Sequence, residues 1–419
     1  MHIVIGSAGT RGDVQPLAAL GRGLSKAGFR VTLAAGDDAE GLARRAGLGF
    51  RGVGGDFQQV MESDLGREWL QSGSNPLRYR RLLKQIFAPL QRRWIEDADA
   101  AVEGCDAVLH YPLAAGFLHA AERRRLPVMA AAFVPWLPSA MIPPLMLPQR
   151  LPLAGFVRRW LGLFAHRMFW QPFMPVHQAY RAEVGLPAVT QTSMVEHAFS
   201  LSIPHLHLFS EAVLPRPSDW AAWATVSGFA FLDEGDSYHP PAELARFLAA
   251  GPPPVYIGFG SMTACQPEAL TKIVMAAVER AGVRALVVSG WGGLSQLAPS
   301  RNVHFAADVP HDWLMARVSA VVHHGGIGTL AAGLRAGRPT VVVPFFGDQP
   351  FWARRVRELG VGPEPIARKS LDVERLARAI GVATTDAGIA RRADEVGERI
   401  RAEDGVAAAV QAVTRFLDR

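Results

Sequence analysis

The stretch from Ser319 to Ala336 restricts the possible folds more than any other. Ser319-Ala320-Val321-Val322 is short and apolar, as a buried strand is, and Leu330-Ala331-Ala332-Gly333-Leu334-Arg335-Ala336 carries helical spacing. Between them, His323-His324-Gly325-Gly326-Ile327-Gly328-Thr329 makes a turn with three glycines. A strand that runs through such a turn into a helix aims backbone N–H groups, and the positive end of the helix dipole, at one point. Without Cβ atoms the backbone can approach an anion closely. The pattern predicts a diphosphate cradle, with His323, His324 and Thr329 as side-chain donors. A plain turn joining strand to helix, with packed or solvated histidines, is the competing reading.

The next strand, Pro339-Thr340-Val341-Val342-Val343-Pro344, leads directly into Phe345-Phe346-Gly347-Asp348-Gln349-Pro350. In open α/β sheets ligands bind at the carboxyl ends of strands. An exposed acid and amide there, Asp348 and Gln349, would grip sugar hydroxyls. The alternative for this pair is a helix cap before Phe351-Trp352-Ala353-Arg354.

The chain opens on a strand, His2-Ile3-Val4-Ile5, with no signal peptide expected before it. After Gly6-Ser7-Ala8-Gly9-Thr10-Arg11-Gly12-Asp13 a helix is expected near Pro16, with Leu17, Leu20 and Leu24 as its stripe and Gly28 as its end. Val31–Ala35 then completes a βαβ unit. Its glycine spacing is G-x-x-G-x-x-G, not the dinucleotide fingerprint, though Asp37 and Asp38 keep a nicotinamide reading open. Strands are expected again at Ala107–His110, Val128–Ala131, Thr225–Gly228, Val255–Phe259, Ala285–Val288 and Val303–Phe305. This alternation predicts an α/β protein of two doubly wound, Rossmann-like domains facing a central cleft. The expected domains are 1–216 and 217–399, joined at Pro215-Arg216-Pro217-Ser218-Asp219, with a final helix in 400–419 packing back on the first.

With 419 residues there is room for both domains. The formal charge is +6, and only four of the 44 basic residues are lysines. No zinc-finger, RNP or basic-helix pattern accompanies that charge, so nucleic acid is not an expected partner. Cys105 and Cys265 form no metal or disulfide pattern, which suits a reducing, cytoplasmic setting. Leu126 to Pro148 is uncharged and long enough to span a bilayer, but six prolines break it. From there to about Val176 the sequence is irregular, apolar and rich in Trp and Phe, suiting the wall or lid of a hydrophobic ligand cavity, or else ordinary core and loop. Arg150, Arg158, Arg159 and Arg167 beside it would also suit peripheral contact with an anionic membrane. Asp97-Ala98-Asp99 matches a metal-holding DxD in letters, but within a helical stretch, and no metal is expected.

These residues resemble the nucleotide-sugar glycosyltransferases of the GT-B fold, above all the sterol 3-beta-glucosyltransferases and next the glycosyltransferases of vancomycin-group antibiotics. The likeness lies in Gly9-Thr10-Arg11-Gly12-Asp13-Val14-Gln15-Pro16, Gly258-Phe259-Gly260-Ser261-Met262, Val309-Pro310-His311-Asp312-Trp313-Leu314, the turn 323–329, and Pro344 to Trp352. It implies a UDP-sugar or dTDP-sugar as co-substrate, with no other cofactor. Val309 and His311 would lie near the base and ribose. Ser261, His323, His324, Gly325, Gly326, Ile327, Gly328 and Thr329 would hold the diphosphate, with Thr10, Arg11 and Gly12 adjoining. Asp348 and Gln349 would hold the sugar, and their pairing favours glucose.

The resemblance also makes Asp13 the general base of an inverting transfer. A carboxylate at a helix N-terminus stays ionised and is a weak base, so proton transfer comes late. The helix-cap reading of Asp13 stays open beside it. The acceptor would be a large hydrophobic alcohol such as a sterol, polyketide or lipid, and His110, Phe133, Trp136, Met141, Met146, Phe169 and Trp170 are the candidate contacts. A sugar-nucleotide epimerase, an NAD(P)-dependent oxidoreductase and a silent binding protein are the rival readings.

Overall fold

The computed structural model describes residues 1–71, 76–145, 153–260, 267–288 and 301–418. They form two compact units, Met1–Leu232 with Glu403–Arg419, and Asp233–Ala402.

The first unit is built on seven strands, β1 (His2–Gly6), β2 (Arg30–Ala35), β3 (Gly49–Gly52), β4 (Ala107–His110), β5 (Val128–Ala132), β6 (His205–His207) and β7 (Ala224–Val226). All are parallel, in the order β3-β2-β1-β4-β5-β6-β7. β4 and β5 are buried at every residue because helices cover both faces, which is why they read as unbroken apolar runs. The order reverses between β1 and β4, where Gly6 lies opposite His110. That reversal opens a crevice at the strands' carboxyl ends, and the loops after β1 and β4 line it.

The second unit repeats the plan with β8 (Val255–Gly258), β9 (Ala285–Val288), β10 (Val303–Ala306), β11 (Ala320–His323) and β12 (Thr340–Val342), ordered β10-β9-β8-β11-β12 and parallel. Here the reversal falls between β8 and β11, with His323 opposite Gly258. The glycine turn follows β11 at once.

Four expectations need correction. The stretch to about Val176 is not irregular throughout, since Gly155–Trp170 and Met174–Glu183 are helices. The first unit runs to Leu232 rather than 216, because β7 joins its sheet. Residues 215–219 are no linker: Arg216 donates to the carbonyls of Trp220, Ala221 and Ala224, and Asp219 accepts from Ser139 Oγ and the Ala140 N–H. The first helix spans Arg11–Lys26 with Pro16 inside it, since the cap lies at Thr10. The helix Gly405–Leu417 belongs to the first unit and lies against Arg11–Lys26, so tightly that a Cβ on Gly23 would sit 2.5 Å from Val406.

Candidate functional site

In the first unit the turn after β1 shapes the surroundings of Asp13. Thr10 is the N-cap and Asp13 the third helical residue, and together they form a capping box. Asp13 Oδ2 accepts the Thr10 N–H at 2.7 Å and the Thr10 hydroxyl at 3.1 Å. Gly9 makes this possible. Its φ is +132°, and a Cβ there would lie 2.3 Å from Asp13 Oδ2. The carboxylate is therefore half-buried, pinned through one oxygen and set at the positive end of a helix. Thr10 spends its hydroxyl on this cap, Arg11 Nε donates to Gln15 at 3.2 Å, and Gly12 is exposed.

Beside this turn lies a partly open cleft, whose roughly 510 Å³ of atom-free space includes open solvent at its mouth. Ser7, Ala8 and Gly9 line it on the loop, and Phe57, Val60, Trp94, Ile95, Leu113 and Phe117 are among its apolar lining. Ser7 and Gln91 contribute the polar side chains. The wall is braced at Gly54, whose φ is +79° and whose missing Cβ makes room for the Trp94 indole. Trp94 Nε1 donates to Gly54 O at 3.2 Å, and Asp97 Oδ2 accepts the Gly54 N–H at 2.8 Å. Asp99 is held by Arg123 and Arg124. The DxD letters thus spell two structural carboxylates on the helix Pro76–Ala101.

The acceptor candidates lie elsewhere in the unit. Phe133 stacks on Tyr111 at 4.6 Å, Trp136 meets the same ring edge-on, and His110 Nδ1 pairs with Tyr111 O at 3.0 Å. Burial pushes His110 down to about 4, so it is neutral. Phe169 and Trp170 pack with Phe173 and His177 in a second aromatic cluster, and Met141 is exposed beside Ser218. None of these six lines the cavity. Met146 and Ser261 lie outside the described residues. The residues that do line the cavity, in 53–60 and 91–98, are not among the predicted contacts; Gly54-Gly55 beside Phe57 is the signal in the sequence.

In the second unit the helix Ile327–Arg335 starts at Gly326, which offers no side-chain cap to its first N–H groups. Gly328 is exposed and Thr329 half-buried at that end. A Cβ on Gly326 would lie 2.5 Å from His324 Nε2 and would displace that ring. His323 is fully buried rather than presented at the surface. Its Nδ1 accepts the Gly325 N–H at 3.0 Å, so the neutral ring carries its proton on Nε2, which has no partner among the described residues. Burial lowers His323 well below the ordinary histidine range and His324 to about 4, so both act as neutral rings at pH 7.

After β12, Asp348 stands at the N-cap position of the helix Gln349–Leu359, but its side chain does not cap. Oδ2 accepts the Trp352 indole N–H at 2.8 Å instead. Burial pushes this carboxyl up to about 6 against the pull of that N–H. Gln349 is 6% exposed, contrary to expectation, and its Oε1 accepts the N–H groups of Phe345 and Phe346 at 2.8 and 3.2 Å. A ligand therefore meets its NH₂ group rather than its carbonyl. Val309 is a core residue, buried in one apolar cluster with Tyr256 and Leu314. His311 is half-buried, with Nε2 3.4 Å from the Tyr256 hydroxyl.

Residues 3–143 match the glycosyltransferase family 28 N-terminal domain, and residues 275–414 match the erythromycin biosynthesis protein CIII-like C-terminal domain. The crystal structure of the calicheamicin glycosyltransferase superposes with a TM-score of 0.71 at 18% identity, covering 100% of this chain and 98% of that one. The kitacinnamycin glycotransferase gives 0.70 at 19% identity, covering 99% of each chain. At such identities the likeness speaks for the fold, which is GT-B. Sequence relatives go further. The whole chain is 37% identical to a sterol 3-beta-glucosyltransferase of Arabidopsis thaliana and covers 66% of it. It is 36% identical to a second from that plant, covering 68%, and 35% identical to one from Aspergillus fumigatus, covering 30%. The chain thus spans about two thirds of the plant relatives and under a third of the fungal one. Full-length identity at this level, on two parallel α/β units, places the chain in the sterol 3-beta-glucosyltransferase family.

Proposed function

We propose that this chain is an inverting glycosyltransferase that moves a hexose, glucose foremost, from a nucleoside-diphosphate sugar to a hydroxyl of a large hydrophobic alcohol. One observation carries the reading: an apolar cavity ends on the loop where Gly9 abuts the Asp13 carboxylate. An alcohol seated there among Phe57, Trp94 and Phe117 would present its hydroxyl toward that loop.

The chemistry follows from the groups available. The acceptor oxygen bonds to the sugar's C1 as the C1–O bond to the diphosphate breaks, and the hydroxyl proton passes to Asp13. With Oδ2 already taking two hydrogen bonds from Thr10, the carboxylate is a weak base, so the proton moves late. Negative charge grows on the leaving diphosphate. The uncapped start of Ile327–Arg335 suits that charge, and His324, being neutral, would assist as a hydrogen-bond donor. The Nε2–H of His323 is a buried donor with no acceptor among the described residues, and such an oxygen would satisfy it. Asp348 in its ionised form and the Gln349 NH₂ are the groups suited to sugar hydroxyls. In this reading the transfer needs no metal, because the helix end takes the leaving charge and Asp97 and Asp99 already hold Gly54 and the two arginines.

The test is incubation of the chain with UDP-glucose or dTDP-glucose and a panel of sterols, macrolides and flavonoids, read by mass and by the anomeric proton coupling of the product. The reading expects a hexose adduct of inverted configuration on an apolar alcohol. Nucleotide release without an adduct, or an adduct that retains configuration, would defeat it.

A further inference from the structure

The helix Gly155–Trp170 turns one side toward the rest of its unit. Gly162 is buried there, where a Cβ would lie 3.1 Å from Pro138, and Trp170 is buried at the helix end. The opposite side is not polar, as a solvated helix face would be. Phe156 is 78% exposed, Trp160 57% and Phe164 45%. Spaced four residues apart, they form one stripe about 12 Å long. The Trp160 and Phe164 rings stack with centroids 5.5 Å apart. A helix apolar on both sides needs a second apolar medium.

Charge selects that medium. From Arg123 to Ala182 the chain holds no Asp or Glu, and Arg158, Arg159 and Arg167 lie on this helix. The acids that face it come from other segments and are tied down. Asp219 is held by Ser139 and Ala140 at 2.7 Å and touches Arg159 only loosely, at 3.9 Å. Glu196 is taken by Arg167 at 2.6 Å, with Thr192 and Ser193. Past the helix end, Arg80 donates to Gln171, which brings one arginine of Pro76–Ala101 to the end of this helix. Aromatic rings edged by arginines suit the interface of a bilayer with anionic headgroups.

We propose that the solvent face of Gly155–Trp170, led by Phe156, Trp160 and Phe164, docks on an anionic membrane surface. Among the described residues no helix is long and apolar enough to cross a membrane, so the contact lies in the interface. The helix Pro76–Ala101, which meets Gln171 through Arg80, also walls the apolar cavity with Trp94 and Ile95. Docking here would hold the cavity's supporting helix near lipid, where apolar alcohols dissolve.

Vesicle flotation of the full chain tests this without any turnover. Vesicles of phosphatidylcholine alone are compared with vesicles holding about 30% phosphatidylserine. The chain should float at least about tenfold better with the anionic vesicles, and high salt should weaken that binding. The triple variant Phe156→Ser, Trp160→Ser, Phe164→Ser should lose binding about tenfold or more while its melting temperature stays that of the parent. Arg159→Gln, at an exposed position, should reduce the preference for anionic vesicles and leave the fold intact. A parent chain that stays with the soluble fraction, equal flotation on neutral vesicles, or a triple variant that floats like the parent would overturn the proposal. A dimer by light scattering that the triple variant dissolves would assign the stripe to a second copy instead, and would overturn it too.

Discussion

Gly9 and Asp13 are so close that no Cβ fits between them: it would lie 2.3 Å from Asp13 Oδ2, on a residue whose φ is +132°. Gly9→Ala must therefore move the carboxylate, break the capping box, or both. The cap alone is worth about 1 kcal/mol, and the strained backbone adds about 1–2 kcal/mol. The variant should melt several degrees lower and lose at least tenfold in kcat with little change in UDP affinity. Thermal unfolding and steady-state kinetics check the two effects separately.

Asp348 accepts the Trp352 indole N–H at 2.8 Å, and burial raises its carboxyl to about 6. Below that pH the folded protein holds this proton, and the carboxylate proposed to accept sugar hydroxyls is lost. The KM for the donor sugar should thus climb as pH falls from 7 to 5, approaching tenfold per unit below 6. Asp348→Asn should flatten that rise, and Trp352→Phe should shift it to higher pH. The KM profile of the three proteins is the check.

Val60 is half-buried in the cavity wall. Val60→Trp adds an indole to the space and should raise the KM for large acceptors about tenfold or more, while UDP binding by calorimetry stays unchanged. A destabilisation of about 1–3 kcal/mol is the expected cost of overfilling. Changes at Trp136 or Phe133, which pack on Tyr111 outside the cavity, should lower the melting temperature without this selectivity for acceptor size.

Acid should loosen the first unit before it harms the second. His177 is lowered to about 3 and His205 to about 4, chiefly by burial, and His119 and His207 fall well below the usual range for the same reason. Their folded values lie under the unfolded one near 6.5, so the unfolded chain takes up protons that the native state refuses. Stability is full above about 6.5 and is lost as pH falls toward 4, at about 1.4 kcal/mol per pH unit for each such ring. In the second unit His323 and His324 act in the same sense. There Asp348 acts in the opposite one between about 4 and 6, because its folded value is raised. Melting curves between pH 7.5 and 5 should show the decline, and hydrogen exchange should place its onset in Met1–Leu232.

Much of this was legible in the residues because buried parallel strands write themselves as apolar runs. Ala107–His110 and Ala285–Val288 lie where their composition says. β3 did not show, since Gly49–Gly52 is an exposed edge strand with one apolar side chain, Phe50. β6 hid for another reason: His205-Leu206-His207 buries two imidazoles where a reader expects aliphatic residues. At the site, chain position was readable and side-chain role was not. Gln349 follows its strand as expected but turns inward to hold Phe345 and Phe346, a choice set by tertiary hydrogen bonds. The cavity was harder still, because its wall joins segments 53–60, 91–98 and 113–117, which only the sheet order brings together.

The account rests on Asp13 as the base, and kcat of Asp13→Asn tests that most directly. An asparagine oxygen can still accept the Thr10 N–H now bonded at 2.7 Å, so the helix keeps its cap and the fold its stability. The predicted result is a kcat lower by roughly 10²–10⁴-fold, with UDP affinity and melting temperature close to those of the parent. A variant that turns over at the parental rate would contradict it.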